Sequence, residues 1–160
     1  MKKLWLMFFV LSVLFSCKKD NIENISNSDI EGIWKGSNLL EPEEGHRYEF
    51  VFCNGDFQLK ESIYIDVAYD SNGCYIGEYD EYIRGNYTIN DNYLFLEGFF
   101  TDSLFVNENT GCYRTGKYKD SFKLRMEDPL VLKFQKDDAS IYNDFTLNLI
   151  DKVSCNEVEP

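Results

Sequence analysis

From residue 30 onward, apolar side chains recur at every second position, and this alternation restricts the chain to β-structure. The clearest case is His46–Cys53, followed by Asn54-Gly55 and a second alternating run, Asp56–Tyr69. Asn-Gly between two such runs is the strongest short hairpin signal, because both central residues of a type I′ turn need a positive φ. No window after Asp29 has the period of a long amphipathic helix. We therefore expect an all-β, antiparallel fold.

The two-residue turn also fixes which side chains of the first hairpin share a face. One face is a core face and the other a solvent face with an ion pair. The predicted core pairs are Phe52 with Phe57, Phe50 with Leu59, Tyr48 with Glu61 and His46 with Ile63, and the predicted solvent pairs are Val51 with Gln58, Glu49 with Lys60 and Arg47 with Ser62.

A second hairpin joins Glu78–Asn90 to Tyr93–Thr101 through Asp91-Asn92. Its predicted core face pairs Ile89 with Leu94, Tyr87 with Leu96, Gly85 with Gly98 and Ile83 with Phe100. Further strands are predicted near Gly32–Gly36, Tyr113–Met126, Leu130–Gln135 and Phe145–Ile150. Their predicted inward residues are Phe122, Leu124 and Met126, then Leu130, Leu132 and Phe134, then Phe145, Leu147 and Leu149. Eight strands in this order predict an up-and-down barrel or a strongly curled sheet.

The first residues have the features of an export signal. A basic start, Met1-Lys2-Lys3, precedes the apolar stretch Leu4–Phe15, which is too short to cross a bilayer core. The stretch ends in Leu14-Phe15-Ser16-Cys17, which resembles a bacterial lipobox. We expect a signal peptide over 1–16, lipidation at Cys17, a polar tether over 17–29 and one β-domain over 30–155. The expected location is the outer membrane, reached through the lipid anchor.

The entry to the first strand, Gly32-Ile33-Trp34, resembles the Gly-x-Trp motif of lipocalin-like barrels. With the eight-strand order behind it, the resemblance covers residues 30 to 152. The chain resembles small lipocalin-like, calycin-type lipoproteins of Gram-negative anaerobes. This resemblance implies that Trp34 closes one barrel end beneath a late basic residue, for which Arg125 and Lys152 are the candidates.

Four cysteines remain after Cys17, and an even number outside the cytoplasm predicts two disulfides. Their spacing does not fit the paired pattern of a zinc site. In an up-and-down meander alternate loops share one end of the barrel. This predicts the pairs Cys74–Cys112 and Cys53–Cys155.

The charge balance excludes a nucleic-acid partner, because the 160 residues carry a formal net charge of −12. We expect no cofactor and no metal site. His46, the single histidine, has two interpretations: an acid–base partner of Glu61 or a histidine at the rim. Asp70-Ser71-Asn72-Gly73 departs from an EF-hand loop and predicts a turn, although nearby Glu78, Asp80 and Glu81 leave a weak calcium site as an alternative. Asp102-Ser103-Leu104 resembles an O-glycosylation signal.

We expect the chain to bind rather than to catalyse. Two inward glycines facing each other, Gly85 and Gly98, predict a gap in the interior near one mouth. The predicted walls are Ile83, Tyr87, Leu96 and Phe100, with Tyr48 and Glu61 as polar groups. Alternatively the glycines serve the curl of the barrel and a neighbouring aromatic ring fills the space. The expected partner is a small apolar ligand, a glycan or a protein; the alternatives are an inhibitor of an extracellular hydrolase and a hydrolase using two carboxylates.

Overall fold

The computed structural model describes residues 24–41, 44–64, 77–109, 114–136, 144–152 and 155, and there the chain forms a closed barrel of eight antiparallel strands. Each strand pairs with the next along the chain, and the last pairs with the first. The predicted up-and-down barrel is therefore confirmed. One short helix, α1 (Asn27–Ile30), precedes β1 (Gly32–Glu41), β2 (Glu44–Cys53), β3 (Asp56–Tyr64), β4 (Tyr79–Asn90), β5 (Tyr93–Thr101), β6 (Lys117–Asp128), β7 (Val131–Gln135) and β8 (Phe145–Asp151).

Both predicted hairpins have the expected turns and register. Asn54 and Gly55 have φ of 51° and 87°, and Asp91 and Asn92 have φ of 50° and 63°. Positive φ at both central residues is the type I′ geometry, which matches the twist of the flanking strands. Every cross-strand pair predicted for the two hairpins is present, from Phe52 with Phe57 to Ile83 with Phe100.

Some strand bounds differ from the prediction. β1 runs to Glu41 rather than Gly36, and β6 starts at Lys117, directly after Gly116. Gly116 has φ of 80°, so the backbone turns there instead of continuing as a strand. The predicted stretches 65–69 and 113 lie outside the described residues.

The prediction that Leu130 lies in the core is wrong. Leu130 is 59% exposed, and its amide donates to the Asp128 carboxylate in the turn between β6 and β7. Leu130 belongs to this turn, and β7 begins one residue later, at Val131. The other predicted inward residues of β6 and β7 are buried, as are Phe145 and Leu147, whereas Leu149 is only partly buried.

The interior is filled mainly by aromatic and branched aliphatic side chains from every strand. Aromatic rings run through its middle, where Phe134 and Phe145 stack with centroids 4.8 Å apart. Phe122 meets both rings edge-on. This continuous packing occupies the middle of the barrel, and a pocket opens beyond it toward one end.

The other end is closed by the segment that leads into β1. Ile25, Ile30 and Trp34 are buried, and the Trp34 indole Nε1 donates to the Ile30 carbonyl over 2.7 Å. Ser26 and Asp29 form a capping box at the start of α1. The folded domain therefore reaches back at least to Ile25, into the stretch predicted to be tether.

The expected basic partner of Trp34 is not found among the described contacts. Arg125 lies on the exposed side of β6, and no cation–aromatic contact of the described residues involves Trp34. Lys152 is exposed near the end of β8 and acts electrostatically on Asp29 instead. Burial and the indole hydrogen bond hold Trp34 in place.

One of the two predicted disulfides is present. Cys53, at the end of β2, is bonded to Cys155 beyond β8, with their Cα atoms 5.4 Å apart. The bond ties the turn after β2 to the residues beyond β8, at the closed end of the barrel. Cys74 and Cys112 lie outside the described residues, so their pairing stays a prediction.

The gap predicted at Gly85 and Gly98 is not found. A Cβ built on Gly85 would overlap the carbonyl oxygen of Glu97, and one on Gly98 would overlap that of Arg84. Phe57 and Tyr118 flank the two glycines in the same cross-strand row, and their ring centroids are 6.2 Å apart. The glycines thus allow close backbone approach while the flanking rings cover the space, as the alternative interpretation held.

This close approach predicts a large difference between two glycine substitutions. We expect Gly85→Ala to lower the free energy of unfolding by about 3 kcal/mol, because its Cβ has no room against strand backbone. Gly55→Ala meets no neighbouring atom and suffers only from its positive φ, so we expect a loss of about 1 kcal/mol. Urea unfolding of both variants measures the difference. Equal losses would contradict the role assigned to Gly85.

Candidate functional site

A pocket of about 190 Å³ opens at the end of the barrel opposite Trp34. It lies where β2 starts, β3 ends and the chain enters β6. Aromatic and aliphatic side chains form its floor, and ionisable groups form its rim. The lining residues are His46, Tyr48, Phe50, Leu59, Glu61, Arg114, Tyr118, Asp120, Phe122, Lys136 and Phe145.

The rim on one side is a chain of four ionisable groups. His46 Nδ1 lies 2.7 Å from Glu61 Oε1, and Arg114 Nη2 donates to Glu61 Oε2 over 2.7 Å. The Arg114 Nε also donates to Glu81 Oε2 over 2.5 Å, and its backbone amide lies 3.3 Å from Glu81 Oε1. One guanidinium therefore bridges two buried carboxylates from neighbouring strands.

These contacts set the ionisation of the rim. Burial favours the neutral form of Glu61, but the hydrogen bond from His46 and the charge of Arg114 outweigh it, so the pKa of Glu61 is lowered. Burial opposes the charge of Arg114, yet its bonds to Glu81 and Glu61 raise its pKa above the ordinary value. Glu61 is thus a carboxylate at neutral pH.

The opposite rim carries a second ion pair. Lys136 Nζ lies 3.0 Å from Asp120 Oδ2 and 5.3 Å from the centroid of the Phe122 ring. The Tyr118 hydroxyl is 3.4 Å from the same carboxylate. Burial, together with the charge of Asp120, raises the pKa of Tyr118 well above its usual value, so this hydroxyl stays protonated.

The floor is a set of stacked rings. Tyr48 stacks on Phe145 with centroids 4.2 Å apart and planes 19° apart. Burial, reinforced by Glu61, raises the pKa of Tyr48, so this hydroxyl is neutral as well. Phe50 lies beside both rings, at 6.4 Å from each. The pocket therefore offers flat apolar faces below and polar groups above.

The structure brings together only part of the predicted site. Tyr48 and Glu61 line the pocket, and His46 adopts the predicted position beside Glu61. Ile83, Tyr87 and Leu96 are instead fully buried in the core, and Phe100 lies under Arg114, 5.2 Å from its guanidinium carbon. Gly85 and Gly98 are wall positions without free interior space.

The sequence reading missed Arg114, Asp120, Lys136 and the place of Phe145 in the pocket. A signal existed for Asp120, which has the same parity as Phe122 and Leu124, the inward residues of β6. Its polar character hid this alternation.

Residues of the alternative calcium site and of the possible O-glycosylation signal make structural contacts. Asp80 holds Lys60 at 2.8 Å and accepts from Ser62, and Glu81 holds Arg114. No group of three His, Cys, Asp or Glu side chains with metal-binding geometry occurs within the described ranges, and the motif Asp70–Gly73 lies outside them.

The possible O-glycosylation signal lies in an exposed turn. Asp102 accepts from the amides of Leu104 and Val106, so it orders this turn around Ser103.

No protein-family model, no curated protein and no solved structure matches this chain. Within the part of the chain that the structure describes, no helix is long and apolar enough to span a bilayer.

Proposed function

We propose that the chain is a lipid-anchored binding protein of the outer membrane that holds a small amphipathic molecule at the open end of its barrel. The observation that carries this proposal is the pocket with an aromatic floor and a paired, charged rim. Pockets of this composition, apolar walls with a few placed polar groups, are typical of small-ligand sites. The closed eight-strand barrel is compatible with a lipocalin-like fold, and membership of the lipocalin-like lipoproteins is part of the proposal.

The state of the rim carboxylates supports binding over acid–base catalysis. A carboxylic acid that protonates a leaving group needs a raised pKa, whereas the pKa of Glu61 is lowered. The second buried carboxylate, Glu81, is held by the same guanidinium. Both groups are therefore committed to structural ion pairs.

The charges of the rim also indicate which charge the polar end of the ligand carries. Each rim cation already has a carboxylate partner: Arg114 has Glu61 and Glu81, and Lys136 has Asp120. Three carboxylates thus face two permanent cations, which favours a cationic or hydrogen-bond-donating end over an anionic one. The aromatic floor suits a flat or cationic group. At about 190 Å³ the pocket is smaller than drug-sized sites, so it holds a single ring or one end of a longer molecule.

We expect a matched pair of probes to separate by charge. 2-Phenylethylamine and 3-phenylpropionate have similar apolar bodies and opposite charges. Calorimetric titration at neutral pH should show the amine binding about tenfold more tightly, a difference of about 1.4 kcal/mol. The exposed-wall variant Phe95→Ala should bind the amine as the wild type does. Tighter binding of the carboxylate would contradict the proposed charge preference.

The anchor has its own test. In Cys17→Ala the residue that receives the lipid is missing, so we expect the protein to leave the membrane fraction and appear in a soluble fraction. Fractionation of cells followed by immunoblotting measures this. Ser121→Ala, an exposed change on the folded barrel, should stay with the membrane. A Cys17→Ala protein that still sediments with membranes would overturn the anchor.

A second candidate function, inhibition of an extracellular hydrolase, is favoured by the loop after β5. Leu104 is 77% exposed there, and Asp102 fixes the loop through bonds to its backbone and to Asn107. A rigid loop with an apolar tip suits insertion into a protein cleft. The pocket makes small-molecule binding the first candidate.

A further inference from the structure

We propose that the outer barrel wall formed by β4, β5, β6 and β7 is a docking surface for an anionic phospholipid bilayer. The surface itself belongs to the described barrel, while the bilayer as its partner rests on the proposed lipid anchor. We call this surface the basic wall and define it by six outward cations: Arg84, Lys117, Lys119, Lys123, Arg125 and Lys133.

The basic wall reverses the sign of the protein's overall charge. It gathers six of the 16 Lys and Arg residues of a chain whose formal net charge is −12. Two of the six are paired, Lys119 with Glu97 and Lys133 with Glu127. Among the residues described, no carboxylate lies within salt-bridge distance of the other four. The wall therefore presents a net positive field to an anionic partner.

Aromatic side chains lie between these cations. Phe95 and Phe99 point outward from β5 and are 41% and 40% exposed. The register places Phe99 between Arg84 and Lys117 in one row across three strands. Exposed aromatic rings interleaved with Lys and Arg are typical of surfaces that lie in the headgroup region, where each ring enters the interface and each cation meets phosphate.

The chain path brings the anchor to this wall. The Ile25 amide donates to Asn92 Oδ1 over 2.7 Å, and the Asn92 carbonyl accepts from Leu124 of β6. The N-terminal segment therefore contacts the barrel at the turn between β4 and β5. This turn lies at the edge of the basic wall nearest the closed end of the barrel. Cys17 precedes Asn24 by seven residues, and seven residues extend at most about 25 Å.

Because the segment between Cys17 and the barrel is short, it keeps this edge of the wall near the membrane leaflet that holds the lipid. The wall that adjoins the edge is the one with the cations and exposed rings, so anchor and surface act on the same bilayer. The pocket opens at the opposite end of the barrel, away from the anchor. A soluble acidic polymer would match the charge of the wall but not its aromatic rings or its closeness to the anchor.

Lysine footprinting of the full-length protein on vesicles tests the proposal. The protein is reconstituted into phosphatidylcholine alone and into phosphatidylcholine with phosphatidylglycerol, treated with an amine-acetylating reagent and mapped by mass spectrometry. We expect acetylation of Lys117, Lys119 and Lys123 to fall about threefold on the anionic vesicles only, and high salt to restore it. Lys35 and Lys60, on the strands of the other wall, are internal references and should not change.

Charge reversal provides the matched control. In Lys117→Glu with Lys123→Glu, protection of Lys119 should be lost, whereas Lys35→Glu with Lys60→Glu should keep it. Equal acetylation on both vesicle types, with the protein bound to both, overturns the docking surface and leaves the anchor intact. Protein that sediments only with anionic vesicles and is protected there supports the surface while removing the anchor. Sedimentation with neither vesicle type overturns the membrane assignment. So does protection of these lysines in a parallel reaction with alginate, a soluble acidic polymer, when anionic vesicles give no protection.

Discussion

We expect replacement of Cys53 and Cys155 by Ala to lower the free energy of unfolding by about 4 to 5 kcal/mol. The bond spans 102 residues, and a cross-link of that span removes much of the conformational freedom of the unfolded chain. It also ties the turn between β2 and β3 to the residues after β8, where the barrel closes on itself. Urea unfolding under non-reducing conditions measures the loss.

Each single substitution provides the control for this double variant. Because either substitution alone removes the bond, each should cost nearly as much as the double variant. The sum of the two single losses should therefore exceed the loss in the double variant. A loss below about 1 kcal/mol in the double variant would show that the bond contributes little to the fold.

Arg114→Met is the second substitution with a large expected effect. It leaves Glu61 and Glu81, both more than nine-tenths buried, without the guanidinium that bridges them. Removing one partner of a buried ion pair costs about 3 to 5 kcal/mol. Because the Arg114 side chain is half exposed and water can partly replace it, we expect a loss of about 3 kcal/mol at pH 7.

The loss from Arg114→Met should depend on pH in a defined direction. The pKa of Glu61 is lowered in the wild type, so its stabilising contribution is complete above its ordinary pKa and is lost as pH falls through the folded value. In the variant Glu61 lacks the charge and the hydrogen bond of Arg114 that help to lower its pKa, so it takes up a proton more readily. The difference between the two proteins should therefore shrink below the ordinary value of 4.5.

Urea unfolding of both proteins at pH 7 and at acid pH measures this dependence. Arg125→Met, an exposed arginine of the outer wall, serves as the control and should change stability by less than about 0.5 kcal/mol. A constant difference between wild type and Arg114→Met across this range would contradict the ionised bridge.

The hairpins were predictable because the residues of their turns are of types that favour a two-residue β-turn. Asn54-Gly55 and Asp91-Asn92 tolerate the positive φ that a two-residue turn requires, and a two-residue turn leaves one register. Leu130 was misplaced because it lies in the turn before β7, whose first residue is Val131. Leu130 has the same parity as the buried Leu132 and Phe134, so alternation alone does not reveal where the turn ends and the strand begins.

The site was less predictable because it depends on the paths of connecting segments. Arg114 precedes β6 and reaches Glu61, 53 positions earlier, and Glu81, 33 positions earlier. Nothing in the local pattern of either strand encodes that meeting. Gly85 and Gly98 misled for a related reason: the sequence shows that side chains are missing, but not that the two backbones approach closely enough to leave no room for them.

Native mass spectrometry of the protein extracted from its own organism tests the binding function most directly. We expect the wild type to retain a molecule of low mass. Tyr48→Ala, which removes the ring stacked on Phe145 in the pocket floor, should lose it, while Phe95→Ala on the outer wall should keep it. Two results would contradict a ligand site at the open end of the barrel. One is wild-type protein whose mass shows no noncovalently bound molecule beyond the lipidated chain. The other is a bound molecule that Tyr48→Ala retains as fully as the wild type.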